Sequence, residues 1–97
     1  MRVIAKSTLR EFWERHPEAE RPFRAWHTEA KAAAWRKPAD VKARYAAASI
    51  LKNGRIVFNV GGNKYRLVAW INFRAQIVYI RFVGTHPEYD RIDAETV

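Results

Sequence analysis

Two stretches of alternating side chains in the second half of the chain limit its fold more than any other feature. In residues 55–60 and 64–73, apolar side chains occupy every second position. Because side chains on a β-strand alternate between the two faces of a sheet, this period of two predicts two strands that each have one apolar face. Gly61-Gly62 lies between them and is typical of a two-residue hairpin turn, so we expect an antiparallel pair.

The predicted registers of two hairpins agree on which side chains share a face. A turn at Gly61-Gly62 pairs Asn59 with Lys64, and a second turn at residues 74–75 pairs Trp70 with Tyr79. The polar and mixed side chains then lie together on the face that the helices leave open. This set comprises Arg55, Asn59, Lys64, Arg66, Trp70, Tyr79 and Arg81.

The first residues of the chain predict a strand followed by a helix. Residues 1–5 are apolar enough for a short strand. Thr8 and Glu11 then form a T-x-x-E pattern, which predicts a capping box and a helix that starts there. Pro17 ends this helix, because the residue before a proline avoids the helical region.

Helical periodicity continues in residues 22–35, which predict a second helix with Pro22 in its first turn. After a break at Lys37-Pro38, residues 41–47 predict a further turn or short helix. The expected fold class is therefore α+β. Two N-terminal helices pack on a mainly antiparallel twisted sheet, and a short helix follows near the C-terminus.

Positive charge is concentrated where the sheet is predicted. The formal net charge is +8, and residues 41–87 hold eight Lys or Arg residues and no Asp or Glu. In the predicted second hairpin Val68 pairs with Arg81, which places Arg81 diagonal to Arg66 and within reach of one ligand. Arginine beside aromatic and Asn side chains suits the binding of phosphates and bases. We therefore interpret the open face as an RNA-binding surface, with a merely solvated basic face as the alternative.

Composition excludes several classes of protein. The chain has no cysteine, which rules out disulfide frameworks, thiolate metal sites and cysteine nucleophiles. Its longest unbroken apolar stretch, residues 67–71, is far shorter than the about 20 residues that a membrane-spanning helix needs. We expect a single domain over residues 1–97, a cytoplasmic location and no membrane association.

A second capping pattern follows the last predicted strand. Thr85 and Glu88 form a T-x-x-E pattern, so a short helix is expected to begin at His86. In that helix His86 is a candidate base, and Tyr89 and Asp90 share its face. The alternative is that these residues only terminate the sheet. No metal site is predicted, because no second histidine is near.

Two long motifs carry a resemblance to a known family. Residues 58–68 read Phe-Asn-Val-Gly-Gly-Asn-Lys-Tyr-Arg-Leu-Val, and residues 79–90 read Tyr-Ile-Arg-Phe-Val-Gly-Thr-His-Pro-Glu-Tyr-Asp. With residues 19–26 and 37–40, they strongly resemble the HigB-type toxins of bacterial toxin–antitoxin pairs over nearly the full length. The resemblance implies membership of the wider RelE group, small α+β proteins that cut messenger RNA on the translating ribosome.

The resemblance also implies a reaction. A ribose 2′-hydroxyl attacks the adjacent phosphate without a metal or cofactor, so the site must move two protons and stabilise negative charge. Arg66 and Arg81 suit charge stabilisation, and His86 suits proton transfer. Tyr89 would stack on a base or orient the phosphate, and Asp90 would orient His86. The residues expected to bind flanking RNA are Arg55, Asn59, Lys64, Trp70 and Tyr79.

The implied partners are mRNA on the ribosome and a cognate antitoxin with a helix-turn-helix DNA-binding domain. Through that antitoxin, the toxin–antitoxin complex would bind operator DNA. The chain departs from many RelE-like enzymes by ending in an acidic segment with Asp93 and Glu95, where they often place a basic or aromatic catalytic residue. Two alternatives stay open: a non-catalytic RNA- or ribosome-binding domain, and a gyrase-poisoning toxin on a related fold.

Overall fold

The computed structural model describes all 97 residues, and its α+β architecture confirms the expected fold class. The elements in chain order are β1 (Arg2–Ile4), α1 (Lys6–Arg15), α2 (Glu20–Ala32), α3 (Pro38–Arg44), β2 (Ser49–Ile50), β3 (Arg55–Val60), β4 (Tyr65–Asn72), β5 (Ile77–Thr85) and α4 (His86–Tyr89). Short 3₁₀ turns precede α2 and β3. None of the helices combines the length and the apolar character that crossing a membrane requires.

The first helix starts two residues before the predicted capping box. Ala5 has an extended backbone at the N-cap position, so Thr8 and Glu11 lie inside α1. The predicted box is wrong because the Thr8 backbone N–H already donates to the Ala5 carbonyl oxygen at 3.1 Å and needs no cap. The end of the helix before Pro17 is confirmed.

The next two helices begin earlier than their sequence patterns predict. The preceding 3₁₀ turn leads directly into α2, which spans residues 20–32 instead of 22–35. α3 spans residues 38–44 instead of 41–47, because Pro38 occupies its first turn. A backbone N–H in the first turn has no acceptor within the helix, so proline, which lacks that N–H, is tolerated there.

The five strands form one sheet in the order β1-β5-β4-β3-β2. β1 is parallel to β5, and every other neighbouring pair is antiparallel. The helices cover one face, where Trp26 of α2 meets Phe58 of β3 edge to face at 5.3 Å. The predicted apolar set packs on this face. Its buried members are Ile56, Phe58, Val60, Tyr65, Leu67, Ala69 and Ile71, and Phe73 is half-buried against them.

The β3–β4 hairpin has a four-residue turn instead of the predicted two-residue turn. Asn59 pairs with Arg66, so Lys64 belongs to the turn and not to a strand. Gly61 and Gly62 both have positive φ, at 66° and 69°, which glycine adopts without a steric penalty. The predicted register is therefore wrong by two residues. A shift of two leaves every side chain on its predicted face, because the alternation has a period of two.

A β-bulge in β5 alters the second predicted register. Trp70 pairs with Tyr79, as predicted, but Val68 pairs with Phe82 and leaves Arg81 unpaired between two rungs. The predicted Val68–Arg81 pair is wrong for this reason. Because a bulge inserts one extra residue and re-aims the side chains beside it, Phe82 reaches the face opposite the helices.

Candidate functional site

The face of the sheet opposite α1 and α2 carries the predicted site residues in two rows. Arg66 on β4 lies between Asn59 on β3 and Gly84 on β5, and we call this row the Arg66 end. The second row, which we call the Trp70 end, consists of Arg55, Trp70 and Tyr79. The two rows lie four positions apart along β4, which is about 13 Å at about 3.3 Å per residue.

Arg66 is the one charged residue that the fold buries, with 7% of its surface exposed. Its Nη2 donates to Oδ1 of Asn63 at 2.8 Å, and its Nη1 donates to the carbonyl oxygens of Asn63 and Tyr65 at 3.2 and 3.1 Å. All three acceptors are neutral, and Arg66 takes part in none of the ion pairs. A buried cation without a counter-ion is a strong binding point for an anion.

The short helix α4 begins beside the turn that holds Arg66. The Thr85 hydroxyl accepts from the Glu88 N–H at 3.3 Å, and the Glu88 carboxylate accepts from the Thr85 N–H at 2.8 Å, which confirms the predicted capping box. The backbone N–H of His86 donates to the Lys64 carbonyl oxygen at 3.0 Å. These bonds join the start of α4 to the β3–β4 turn.

The side chains of α4 include an acid–base pair. His86 Nδ1 lies 3.1 Å from Asp90 Oδ2, and 41% of the His86 side chain is exposed. A carboxylate that holds the Nδ1 proton leaves the other ring nitrogen free to accept one. The Tyr89 ring centroid lies 6.0 Å from Cζ of Arg66, so α4 also reaches the buried cation.

Glu88 is held in its ionised form by the same capping interactions. The Thr85 backbone N–H is the main cause that keeps the pKa of Glu88 below its ordinary value. The Thr85 hydroxyl lowers this pKa further, and His16 and Arg15 at the end of α1 act electrostatically in the same direction. The end of α1 therefore adds positive potential near α4.

The middle of the face is covered by the C-terminal residues, which corrects the expectation of an open sheet face. Val57 and Val68 are buried beneath Ala94, which is 9% exposed. The side chains packed around these three are Leu51, Phe82, Tyr89, Ile92 and Val97. The cover removes a row of apolar side chains from water and lies between the Arg66 end and the Trp70 end. We call residues 91–97 the C-terminal cover.

Two of the predicted cations contact this cover. Arg55 donates to the Val97 main-chain oxygen from Nη2 at 2.8 Å and from Nε at 3.3 Å, and Arg81 donates to the same oxygen from Nε at 3.3 Å. Arg81 is exposed and Arg55 is half-buried. An oxygen that accepts from two guanidinium groups occupies a position that also suits a phosphate oxygen.

The Trp70 end contains a stacked aromatic pair. The rings of Trp70 and Tyr79 lie 5.0 Å apart and are tilted by 29°. Gly54 packs against this pair, since a Cβ at that position would lie 3.0 Å from Nε1 of Trp70. The register does not bring Trp70 and Tyr79 to Arg66 or α4, so stacking and proton transfer would occur at different parts of the face.

Sequence reasoning missed three contributors to this face: Asn63, Phe82 and the C-terminal cover. Asn63 was predicted only as a strand residue paired with Val60, and no local pattern reveals that it accepts from Arg66. Phe82 reaches the face because of the bulge. The glycine at position 84 was the sequence feature that could have indicated where the Phe82 ring lies. A Cβ at Gly84 would lie 2.6 Å from Cζ of Phe82, so a glycine is needed there.

The candidate site contains no set of metal ligands. No three His, Asp or Glu side chains in the chain lie close enough together to hold a metal ion. His86, Glu88 and Asp90 do not converge on one point, because Glu88 is engaged with Thr85 while His86 faces Asp90.

Comparison with known proteins gives consistent similarities. A family profile described as HigB_toxin, RelE-like toxic component of a toxin-antitoxin system, matches residues 19–92. The mRNA interferase toxin HigB of Escherichia coli (strain K12) is 35% identical over 92 residues, which cover 93% of this chain and 88% of that protein. The mRNA interferase HigB of Shigella flexneri gives the same figures. The mRNA interferase HigB of Escherichia coli O6:H1 is 24% identical over 94 residues, covering 95% of this chain and 91% of that protein.

Proposed function

The chain belongs to the HigB toxin family, the RelE-like toxic components of toxin–antitoxin systems, and from this premise we propose that it is an endoribonuclease that cuts mRNA on the ribosome. The names of its relatives as mRNA interferases support the substrate. The observation that carries the proposal is Arg66, a buried cation with neutral partners only, beside a helix that presents His86 and Asp90.

The proposed reaction is an internal phosphoryl transfer. A base removes the proton of a ribose 2′-hydroxyl, whose oxygen attacks the adjacent phosphorus as the bond to the 5′-oxygen breaks. The leaving oxygen takes up a proton, and the products are a 2′,3′-cyclic phosphate and a 5′-hydroxyl. Catalysis requires a proton carrier and donors that stabilise the extra negative charge on the phosphate.

Arg66, Arg81 and three residues at α4 each have a part in this scheme. Arg66 stabilises the charge that develops on the phosphate oxygens, and Arg81 assists once its bond to Val97 is released. His86 transfers a proton while Asp90 holds its other nitrogen. Tyr89, whose ring lies near Arg66, stacks on a base or orients the phosphate. The scheme uses no metal ion or cofactor.

The other predicted residues bind the RNA on both sides of the cleaved bond. Lys64 is exposed in the β3–β4 turn, and Asn59 is exposed opposite Arg66, so both suit phosphate and sugar contacts near the site. At the Trp70 end, Trp70 and Tyr79 suit stacking on bases, and Arg55 suits a flanking phosphate.

Partners and setting complete the proposal. The chain acts in the cytoplasm as a single toxin domain spanning residues 1–97. A cognate antitoxin with a helix-turn-helix domain neutralises it, and the complex binds operator DNA through that antitoxin. Family membership supports an antitoxin partner.

Controlled expression tests the function directly. Induction without antitoxin is expected to arrest growth and to produce new 5′ ends in cellular mRNA, whereas the folded variant Arg66→Ala leaves transcripts intact. In a purified system, primer extension should detect cuts only when ribosomes carry the message.

Growth arrest without new 5′ ends would indicate a non-catalytic ribosome binder. A DNA-damage response with intact RNA would indicate a gyrase poison. Either result refutes the proposal.

A further inference from the structure

The hydrogen bonds of Arg66 divide its guanidinium group into an occupied edge and a free edge. A guanidinium has five N–H donors, and three of them are used here. Nη1 and Nη2 both point to Asn63, through its backbone and side-chain oxygens, so the edge between these two nitrogens is occupied. Nε and the second hydrogen of Nη2 lie along the adjacent edge and have no protein acceptor.

The free edge retains contact with solvent. Nε1 of Trp26 is the one fully buried side-chain nitrogen or oxygen that has no hydrogen-bond partner. Since Nε of Arg66 also has no partner, it is not fully buried and can contact solvent. Two parallel N–H donors on one planar edge match the two oxygens of a phosphate group. The exposed part of Arg66 therefore includes Nε, one of the two donors on the edge that can bind an anion in a bidentate manner.

The neutrality of the acceptors preserves the positive charge. The cross-strand neighbours of Arg66 are Asn59 and Gly84, and its side-chain acceptor is the amide of Asn63. A carboxylate in place of that amide would make the same hydrogen bond but would also neutralise the cation. Residues 41–87 contain no Asp or Glu. The β3–β4 turn and the adjoining strands therefore place only uncharged or basic residues around the guanidinium group.

We infer that Asn63 is a positioning residue for RNA phosphate recognition: it holds one edge of the Arg66 guanidinium through neutral oxygens and so presents the other edge, fully charged, to a phosphate. The inference rests on the proposed function and deepens it. Asn and Asp are both favoured in turns, so turn formation does not explain why position 63 is Asn. Anion binding does, because only the amide leaves the charge of Arg66 unneutralised.

The test compares two substitutions that change the net charge equally. Asn63→Asp adds a carboxylate beside Arg66 in nearly the same shape. Thr28→Glu adds one at an exposed position of α2, on the side of the sheet opposite Arg66. The probe is a hexanucleotide of 2′-O-methyl RNA, which binds phosphate sites but cannot be cut by attack of the 2′-oxygen. Its affinity is measured over a range of salt concentrations.

Asn63→Asp is expected to bind the probe about tenfold or more weakly, as loss of a charge-assisted contact predicts. Its slope of log affinity against log salt should fall by about 0.7, the value for one phosphate contact to a single strand. Thr28→Glu should change the affinity less than about twofold, since that site lies on the other side of the sheet from the proposed RNA-binding residues. The thermal unfolding midpoint of Asn63→Asp should equal or exceed that of the wild type, because a new ion pair forms.

Equal affinity of Asn63→Asp and wild type would overturn the inference, as would an equal loss in Thr28→Glu or an absence of probe binding by the wild type at low salt. If Asn63→Asp fails to fold, Asn63→Ser removes the bond to Nη2 without adding charge. A several-fold weaker affinity then supports the inference, and wild-type affinity overturns it. Because the probe cannot be cleaved, these outcomes are separate from the mRNA cleavage that tests the proposed function.

Discussion

Arg55 and Arg81, on the two strands that flank β4, donate to one shared acceptor, the main-chain oxygen of Val97. The contact links residues that lie 42 and 16 positions from Val97 in the sequence. It places the C-terminal cover over cations that are expected to bind RNA. RNA phosphates and the cover would therefore compete for the same donors.

This competition predicts that RNA opens the C-terminal cover. The amides of Glu95, Thr96 and Val97 all donate to oxygens of Asp93, so their hydrogen exchange reports on the order of this segment. Saturating 2′-O-methyl RNA should speed their exchange several-fold, while amides within α2 should be unaffected. Unchanged exchange in the cover would show that Arg55 and Arg81 do not take phosphates.

A second prediction concerns proton transfer by His86. Replacing a general base usually lowers a rate by about 10²- to 10⁴-fold, so His86→Ala should reduce mRNA cleavage on ribosomes by that amount. Asp90→Asn should cause a smaller loss, because it only weakens the hold on Nδ1. His27→Ala, on α2, serves as the matched control. A folded His86→Ala variant that cuts at the wild-type rate would remove His86 from the mechanism.

The separation of the two ends predicts a kinetic distinction. Trp70 lies about 13 Å along β4 from Arg66, so Trp70→Ala should weaken substrate binding without affecting the chemical step. Stacking on a base contributes about 1–3 kcal/mol, so KM should rise about five- to 150-fold while kcat changes little. Tyr79→Phe keeps the stacked pair and should behave like the wild type. A large fall in kcat for Trp70→Ala would place the chemistry at the Trp70 end.

Gly84 is predicted to be intolerant of a side chain for reasons of space. Gly84→Ala would press its Cβ against the Phe82 ring and should destabilise the fold by about 1–3 kcal/mol. Gly62→Ala meets no atom within 4 Å and is strained only by its φ of 69°, so it should cost about 1 kcal/mol. Adding Phe82→Leu should recover part of the Gly84→Ala loss in chemical denaturation. A loss that is not relieved in this double variant would contradict the steric explanation.

The depressed pKa of Glu88 predicts an acid-sensitive contribution to stability. A carboxylate whose pKa is lower in the folded state stabilises the fold fully above its unfolded pKa, about 4.3, and loses that contribution as the pH falls through the folded value. Glu88→Gln keeps the capping pattern but cannot titrate. Thermal unfolding midpoints of the two proteins should therefore differ most at neutral pH and converge below about pH 4. A constant difference across this range would show that Glu88 does not titrate with folding.

Several features of the site follow from local sequence alone. The alternation of side chains assigned Ile56, Phe58 and Leu67 to the core face and Arg66 to the opposite face, and it survived a register error of two residues because the period is two. The capping box at Thr85 and the start of α4 were likewise predictable, since they depend on residues within one turn.

Tertiary structure decided how those residues are used. The bulge at Arg81 and the C-terminal cover depend on the fit between strands and segments far apart in the sequence, so no local pattern encodes them. The same holds for the burial of Arg66, whose periodicity predicted only a face. The sequence by itself determined which side of the sheet carries the cations and which family the chain resembles. Only packing in three dimensions decided that one of these cations would be enclosed by neutral oxygens while two others would share Val97.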